Sequence, residues 1–143
     1  MNYKRQAKQL ETFLEDEFKK KLPLVVLADK SIIYKRYTIR QNKQGSWALS
    51  LAGGDVIDQF RIKTTAILAA KFYDQTNFNR YNEVKSLDIQ YWNNSVDASF
   101  FKYRCDHATD LIKRDIFMWR WEQVDHRAKR YKEQISSMFK ANF

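Results

Sequence analysis

Residues 31–55, SIIYKRYTIRQNKQGSWALSLAGGD, set the reading of this chain. Trp47, Leu49 and Leu51 alternate with Ser46, Ala48 and Ser50, the two-residue period of a half-buried strand. From Ser31 the same period places Ile33, Tyr37 and Ile39 on one strand face, with Lys35 intruding. Ile32, Tyr34, Arg36, Thr38 and Arg40 fall on the other. Asn42 to Gly45 supplies turn chemistry between the two runs. The segment reads as a β-hairpin, with Leu24 to Leu27 available as a further short strand. Ala52-Gly53-Gly54 ends it, and Asp55 is a candidate helix N-cap.

Beyond that point the punctuation stops. Pro23, Gly45, Gly53 and Gly54 are the only Pro and Gly residues, and none follows Asp55. Strand-rich chain of that length needs Gly or Pro for its turns, so the remainder is expected to be helical. A helix is expected over about 56–73, with a third strand from Val56 to Ile62 as the alternative. Val56, Phe60 and Ile62 share strand parity, but Asp58 interrupts that face. Thr76 or Asn77 caps the next helix, which runs to about Trp92 with Tyr81, Val84, Leu87 and Tyr91 on one face. Asn93-Asn94-Ser95 is expected to break it. Val96 to about Phe139 then reads as a long helical stretch, broken once between Cys105 and Thr109. On the other side of the hairpin, Tyr3, Ala7, Leu10, Leu14 and Phe18 trace one helical stripe, ended by Lys19, Lys20, Lys21 and Pro23.

The expected fold is α+β in a single domain over 1–143. It has an N-terminal helix over 1–22, a β-hairpin or small antiparallel sheet over 24–52, and three or four helices over 55–143. The expected core joins Ile33, Tyr37, Ile39, Trp47, Leu49 and Leu51 of the hairpin to Leu111, Ile112, Met118 and Trp119 of the long helical stretch.

The 143 residues include 26 Lys or Arg against 17 Asp or Glu, a net charge of +9, and a single Cys. One Cys excludes an intramolecular disulfide framework and a Cys-cluster zinc site. The longest apolar run, Thr64 to Ala70, is far short of the ~18 residues of a membrane helix. The start of the chain is charged from Lys4 and lacks the apolar stretch of a signal peptide. These features point to a soluble, cytoplasmic protein with no membrane partner.

No phosphate loop, dinucleotide fingerprint or nucleophile elbow is present. Gly53-Gly54 is better explained as a turn than as an anion cradle. His107 with Asp110, and Glu122 with His126, share helix faces, but solvated pairing is the commoner use of such residues, and no metal or cofactor is expected. Cys105 reads as a buried thiol. Glu83-Val84-Lys85, with Asp58 or Asp74 upstream, has the acid…ExK spacing of metal-dependent nucleases, although that motif belongs on a strand.

Two surfaces stand out. Lys30, Lys35, Arg36, Arg40 and Lys43 lie within a stretch holding no acid and interleave with Tyr34, Tyr37 and Trp47. Cations for phosphates beside rings for bases suit nucleic-acid binding; a solvated strand face is the commoner outcome. The cations of 126–132 are interrupted by acids and read as a solvated helix face. Second, Ile116, Phe117, Met118, Trp119 and Trp121 are apolar on nearly successive positions, and positions 119 and 121 point about 200° apart on a helix. Such a helix is either central to its own fold or part of a contact with a second chain. Phe117 and Trp121 are the candidate interface residues.

Leu22-Pro23-Leu24-Val25-Val26-Leu27, Ala66-Ile67-Leu68-Ala69-Ala70-Lys71-Phe72-Tyr73, Tyr91-Trp92-Asn93-Asn94 and Lys113-Arg114-Asp115-Ile116-Phe117 resemble stretches of small proteins from marine T4-like cyanophages. The resemblance covers most of the chain. It implies a phage origin and expression in a bacterial host cytoplasm, with a place in the virion as an alternative, and carries over no activity or site residue.

The function expected first is a non-enzymatic binding or assembly protein acting through protein contacts, self-association included. The alternatives are nucleic-acid binding through the basic hairpin and a metal-dependent nuclease. Nucleic-acid binding predicts salt-sensitive affinity that Arg36→Glu with Arg40→Glu weakens without unfolding the chain. A fluorescence titration with short nucleic acids at two salt concentrations checks it, and salt-insensitive or absent binding would end it.

Overall fold

The structure, a computed structural model, describes residues 24–51 and 54–143. The expected helix over 1–22 and the Ala52-Gly53 pair lie outside the described residues. Among the described residues the fold is α+β. Strands β1 (Leu24–Val26), β2 (Ile32–Tyr34), β3 (Tyr37–Gln41), β4 (Trp47–Leu51) and β5 (Val56–Phe60) precede helices α1 (Lys63–Asp74), α2 (Phe78–Asp106) and α3 (Leu111–Asn142). The five strands form an antiparallel meander in chain order.

The hairpin expected over 31–51 contains one more turn than its period suggests. Lys35 and Arg36 form a two-residue loop, and Tyr34 pairs with Tyr37 across it. Lys35 takes φ 51, left-handed backbone that a Gly or Asn usually signals. The loop swaps the parity of the buried face. Ile32 and Tyr34 before it, and Tyr37, Ile39 and Leu49 after it, are all buried. Ile33, expected in the core, lies on the opposite face and is half-buried. Asn42 builds the next turn, its Oδ1 accepting from the N–H groups of Gln44 and Ser46 at 3.0 Å each. Gly45 takes φ 88 there.

Residues 56–60 are a strand, not the start of a helix. Asp58, which interrupts the apolar face, pairs in register with Leu49 on the inner face of the sheet. It is satisfied there by α2: its Oδ2 accepts from the Tyr81 hydroxyl at 2.6 Å and its Oδ1 meets the Lys85 ammonium at 2.9 Å. A polar group on a strand face is tolerated when a neighbouring element supplies its partners.

The helix buried on nearly all sides is α1. Thr65 to Ala70 and Phe72 are buried, with the sheet beneath and α2 and α3 alongside. The small side chains of Ala66, Ala69 and Ala70 let these layers approach. The stretch 116–121 is not central: Ile116 is 49% exposed and Trp119 60%. Leu111, Ile112 and Met118, also expected in the core, are exposed. In their place the core takes Ile135 from α3, with Met138 and Phe139 packed against it.

Asn77 caps α2, accepting from the Arg80 N–H at 3.3 Å. The expected break at Asn93-Asn94-Ser95 does not occur. Asn94 donates to the Gln90 carbonyl at 2.7 Å and Ser95 to the Tyr91 carbonyl at 2.8 Å, so both side chains bond back into the helix. The break comes at His107 to Asp110, within one residue of the expected segment, and the Asp110 carboxylate caps α3 by accepting from the Ile112 N–H at 2.8 Å.

The layers meet at Asp88 of α2, which is 1% exposed. Helix α1 has no capping side chain of its own at Ile62. Asp88, from another helix, instead binds the segment that leads into it. Its carboxylate accepts from the Arg61 N–H at 2.9 and 3.0 Å and the Ile62 N–H at 3.0 Å, with the Thr65 hydroxyl at 2.6 Å. Asp88→Ala should destabilise the chain by about 2–4 kcal/mol, because three donors that bond a buried carboxylate are left unpaired. Denaturant unfolding reads this directly, and a loss below about 1 kcal/mol would mean the clamp is dispensable.

Candidate functional site

Strand β5 is an edge strand, and α2 runs beside it. Each outward backbone group named here is taken. The Gln59 carbonyl accepts from Lys85, the Gln59 N–H donates to Asp58 Oδ1 at 2.7 Å, and Asp88 takes the Arg61 N–H. Side chains thus occupy this part of the edge, one of the ways proteins protect sheet edges.

A cleft of about 560 Å³ remains between β5 and α2, lined by residues that include Ser46, Gln59, Arg61, Ile89, Trp92 and Asn93. The Arg61 guanidinium lies 5.1 Å from the centre of the Trp92 ring and donates to Ser46 Oγ at 3.1 Å. The other charges of the cleft are engaged: Lys85 by Asp58, and Asp88 by the α1 start. Burial pushes the Asp58 carboxyl up, but the Tyr81 hydroxyl, the Lys85 ammonium and the Gln59 N–H outweigh it and hold it below the ordinary range. Burial and then Asp58 push the Tyr81 phenol well up, so it stays protonated and donates.

The acid…ExK residues do not converge. Lys85 meets Asp58, but Glu83 faces solvent and pairs with Arg80 at 3.1 Å. Asp74 is engaged elsewhere, by Lys35 and Arg36. Among the described residues no three His, Cys, Asp or Glu side chains gather where they could hold a metal ion. His107 stacks on Tyr103 with centroids 4.0 Å apart, and Cys105 is buried.

The basic hairpin is divided by the meander. Lys35 and Arg36 sit at the β2–β3 loop, where Asp74 at the end of α1 pairs with them at 2.9 and 3.8 Å. Lys30, Arg40 and Lys43 lie at the opposite end, all exposed, with Arg40 4.0 Å from Asp29. Tyr34 is 3% exposed, so its ring belongs to the core and is not offered for stacking.

The two candidate interface residues face inward. Phe117 and Trp121 are half-buried against α2, under Arg104 and Lys102 respectively. With Val124, Ala128, Tyr131, Ile135 and Met138 they form the stripe, spaced by three and four, that packs on α2. A second apolar stripe lies outside that seam. Past Tyr91, and before Ile135, neither helix contributes to the sheet-side core. The outer halves of α2 and α3 therefore run on as a two-helix arm of about 22 Å, at 1.5 Å per residue from Trp92 to Asp106. Along it Trp92, Val96, Phe100 and Tyr103 of α2 and Leu111, Ile112, Ile116 and Trp119 of α3 are exposed. The signal was available in the sequence: each helix carries two apolar stripes, and a pair of helices covers only one each.

Comparison with known proteins returned no match: no family model, no curated protein and no solved structure matches this chain. No helix among the described residues is long and apolar enough to cross a membrane.

Because the Asp58 carboxyl is held low in the folded chain, its contribution to stability is complete above the unfolded carboxyl range near pH 4. It is lost as pH falls from there through the lower folded value. Asp58→Asn should remove that part of the acid-side fall and cost about 1–3 kcal/mol at neutral pH by leaving Lys85 without its counter-charge. Melting curves between neutral and strongly acid pH check both, and identical acid profiles for the two proteins would refute the assignment.

Proposed function

We propose that this chain is a non-enzymatic binding or assembly protein whose working element is the α2–α3 arm. The observation that carries the reading is the set of large apolar side chains standing exposed along the arm, from Trp92 at 41% to Leu111 at 73%. Large apolar side chains exposed in stripes along a helix are a mark of contact with another molecule. The engagement of Asp58, Asp88 and Lys85 in holding β5 and α1 supports the same reading, since it commits the cleft's carboxylates and its lysine to structure. The resemblance to small cyanophage proteins suits an accessory or virion component. Nucleic-acid binding is the second reading, favoured by the return of Lys30, Arg40 and Lys43 to one end of the sheet.

A photo-crosslinking residue in place of Trp119 should capture a polypeptide, a second copy included, in cells expressing the chain. The same group in place of Lys43 should not. Equal capture from the two positions, or none from position 119, would sink the assignment of the arm.

A further inference from the structure

Cations from segments far apart in sequence return to one end of the sheet. Lys30 lies in the turn before β2, and Lys43 in the turn after β3. Arg40 is near the end of β3, and Arg61 and Lys63 follow β5. The register aligns these positions: Gln41 of β3 pairs with Trp47 of β4, and Trp47 with Phe60 of β5. All five cations are exposed. The segments that carry them, 29–31, 40–46 and 59–63, hold one acid, Asp29. What orients the cations is mostly neutral. Arg40 Nε donates to Ser31 Oγ at 3.1 Å, and Arg61 Nη1 to Ser46 Oγ at 3.1 Å; both serines are buried. The Arg61 guanidinium also lies over Trp92, and the Lys63 ammonium lies 5.8 Å from the centre of the Trp47 ring. Asp29 is 4.0 Å from Arg40 and accepts from the Ser31 N–H at 3.0 Å. Hydroxyls and rings fix a cation without cancelling its charge. At the other end of the sheet Asp74 does cancel the charge of Lys35 and Arg36.

We propose that this end of the sheet binds single-stranded nucleic acid, with phosphates on the cations and a base against Trp92 in the cleft between β5 and α2. The inference rests on the nucleic-acid reading above, moves its centre from the hairpin to the sheet end, and is independent of the arm. Three observations choose this ligand. The first is charge. Five cations and one acid leave a surplus of four positive charges here, in a chain of net charge +9. They spread over three strand spacings from β2 to β5, roughly 14 Å, which suits a run of phosphates better than one small anion. The second is the ring. Trp92 is 41% exposed and stands at the end of this row, beside Arg61, so a base meets an aromatic face next to a cation. The third is the recess. The cleft of about 560 Å³ falls within the ~300–1,000 Å³ of ligand sites, and Gln59 and Asn93 line it with amide groups that can meet a base edge. Only a single strand can turn a base into such a recess; a duplex keeps its bases stacked inside, and a flat anionic membrane would leave the cleft empty.

Fluorescence anisotropy of the full chain with labelled oligothymidine and oligouridine strands, over a salt series, tests this. The expected log–log slope of affinity against salt is roughly −2 to −3, for three or four phosphates at ~0.7 each. A preference for thymidine or for uridine strands then assigns DNA or RNA. Trp92→Ala should weaken binding by roughly 10-fold, the worth of one stacked base, and Trp92→Phe should keep most of the affinity. Lys63→Glu should weaken binding and flatten the salt slope. Lys63 is the first residue of α1, where Glu suits the helix dipole, so circular dichroism of this variant should be unchanged. Lys113→Glu, the same change of charge on an exposed position of α3, should leave binding as it was. Strand binding that Lys63→Glu and Lys113→Glu reduce alike, or that Trp92→Ala leaves untouched, overturns this site while the nucleic-acid reading stands. A duplex bound as tightly as the single strands overturns the single-strand assignment. Absence of salt-sensitive binding to strand and duplex ends both the site and the reading on which it rests.

Discussion

One carboxylate joins the layers of this protein. Asp88 lies in the middle of the α2 seam, yet its bonds go to the junction between β5 and α1. Helix α1 begins at Lys63, and Asp88 accepts from the Arg61 and Ile62 N–H groups just before it and from the Thr65 hydroxyl in its first turn. The negative charge also sits at the positive end of the α1 dipole. Through this contact the entry of the buried helix, the end of the last strand and the face of α2 are set relative to one another. Four residues downstream Trp92 then meets Arg61, and three residues upstream Lys85 meets Asp58 and the edge of β5. The cleft is a product of that clamp.

The same arrangement blunts part of the sheet edge. At Gln59 the outward polar groups of β5 are bonded by side chains of α2 and of β5 itself. The large exposed apolar side chains lie instead along the arm. There α2 and α3 have left the sheet and α1 behind and, among the described residues, have only each other. The division is physical: the proximal half of each helix buries one stripe against the core, and the distal half carries a stripe that nothing among the described residues covers.

Much of this was legible from residue pattern. The strands at 37–41 and 47–51, the Asn42 turn, the Asn77 cap and the helical character after Ile62 follow from period, turn chemistry and capping preference. The misreadings share a cause, which is a local signal answered by a distant partner. Lys35 adopts left-handed backbone with no Gly or Asn to announce it, and Asp74 at the end of α1 pairs with it there. Asp58 looks wrong for a strand until Tyr81 and Lys85, more than twenty residues away, supply its partners. Asn94 and Ser95 look like a helix break but turn their hydrogen bonds inward. For the contact surface, the apolar run at 116–121 was conspicuous, but which of its residues face outward depends on where α2 lies. Phe117 and Trp121 turn toward it, and Ile116 and Trp119 turn away.

The sequence by itself determined the element types and most of their order, because strand and helix periods, turn residues and caps are local properties of the backbone and its nearest side chains. Only the tertiary structure decided which faces are inside. A two-residue loop inverts the parity of a strand, and a helix with two apolar stripes offers no internal criterion for which to bury. That choice is made by the partner elements, here through Asp88, which orients α2 over α1 and leaves the second stripe of the arm to the outside.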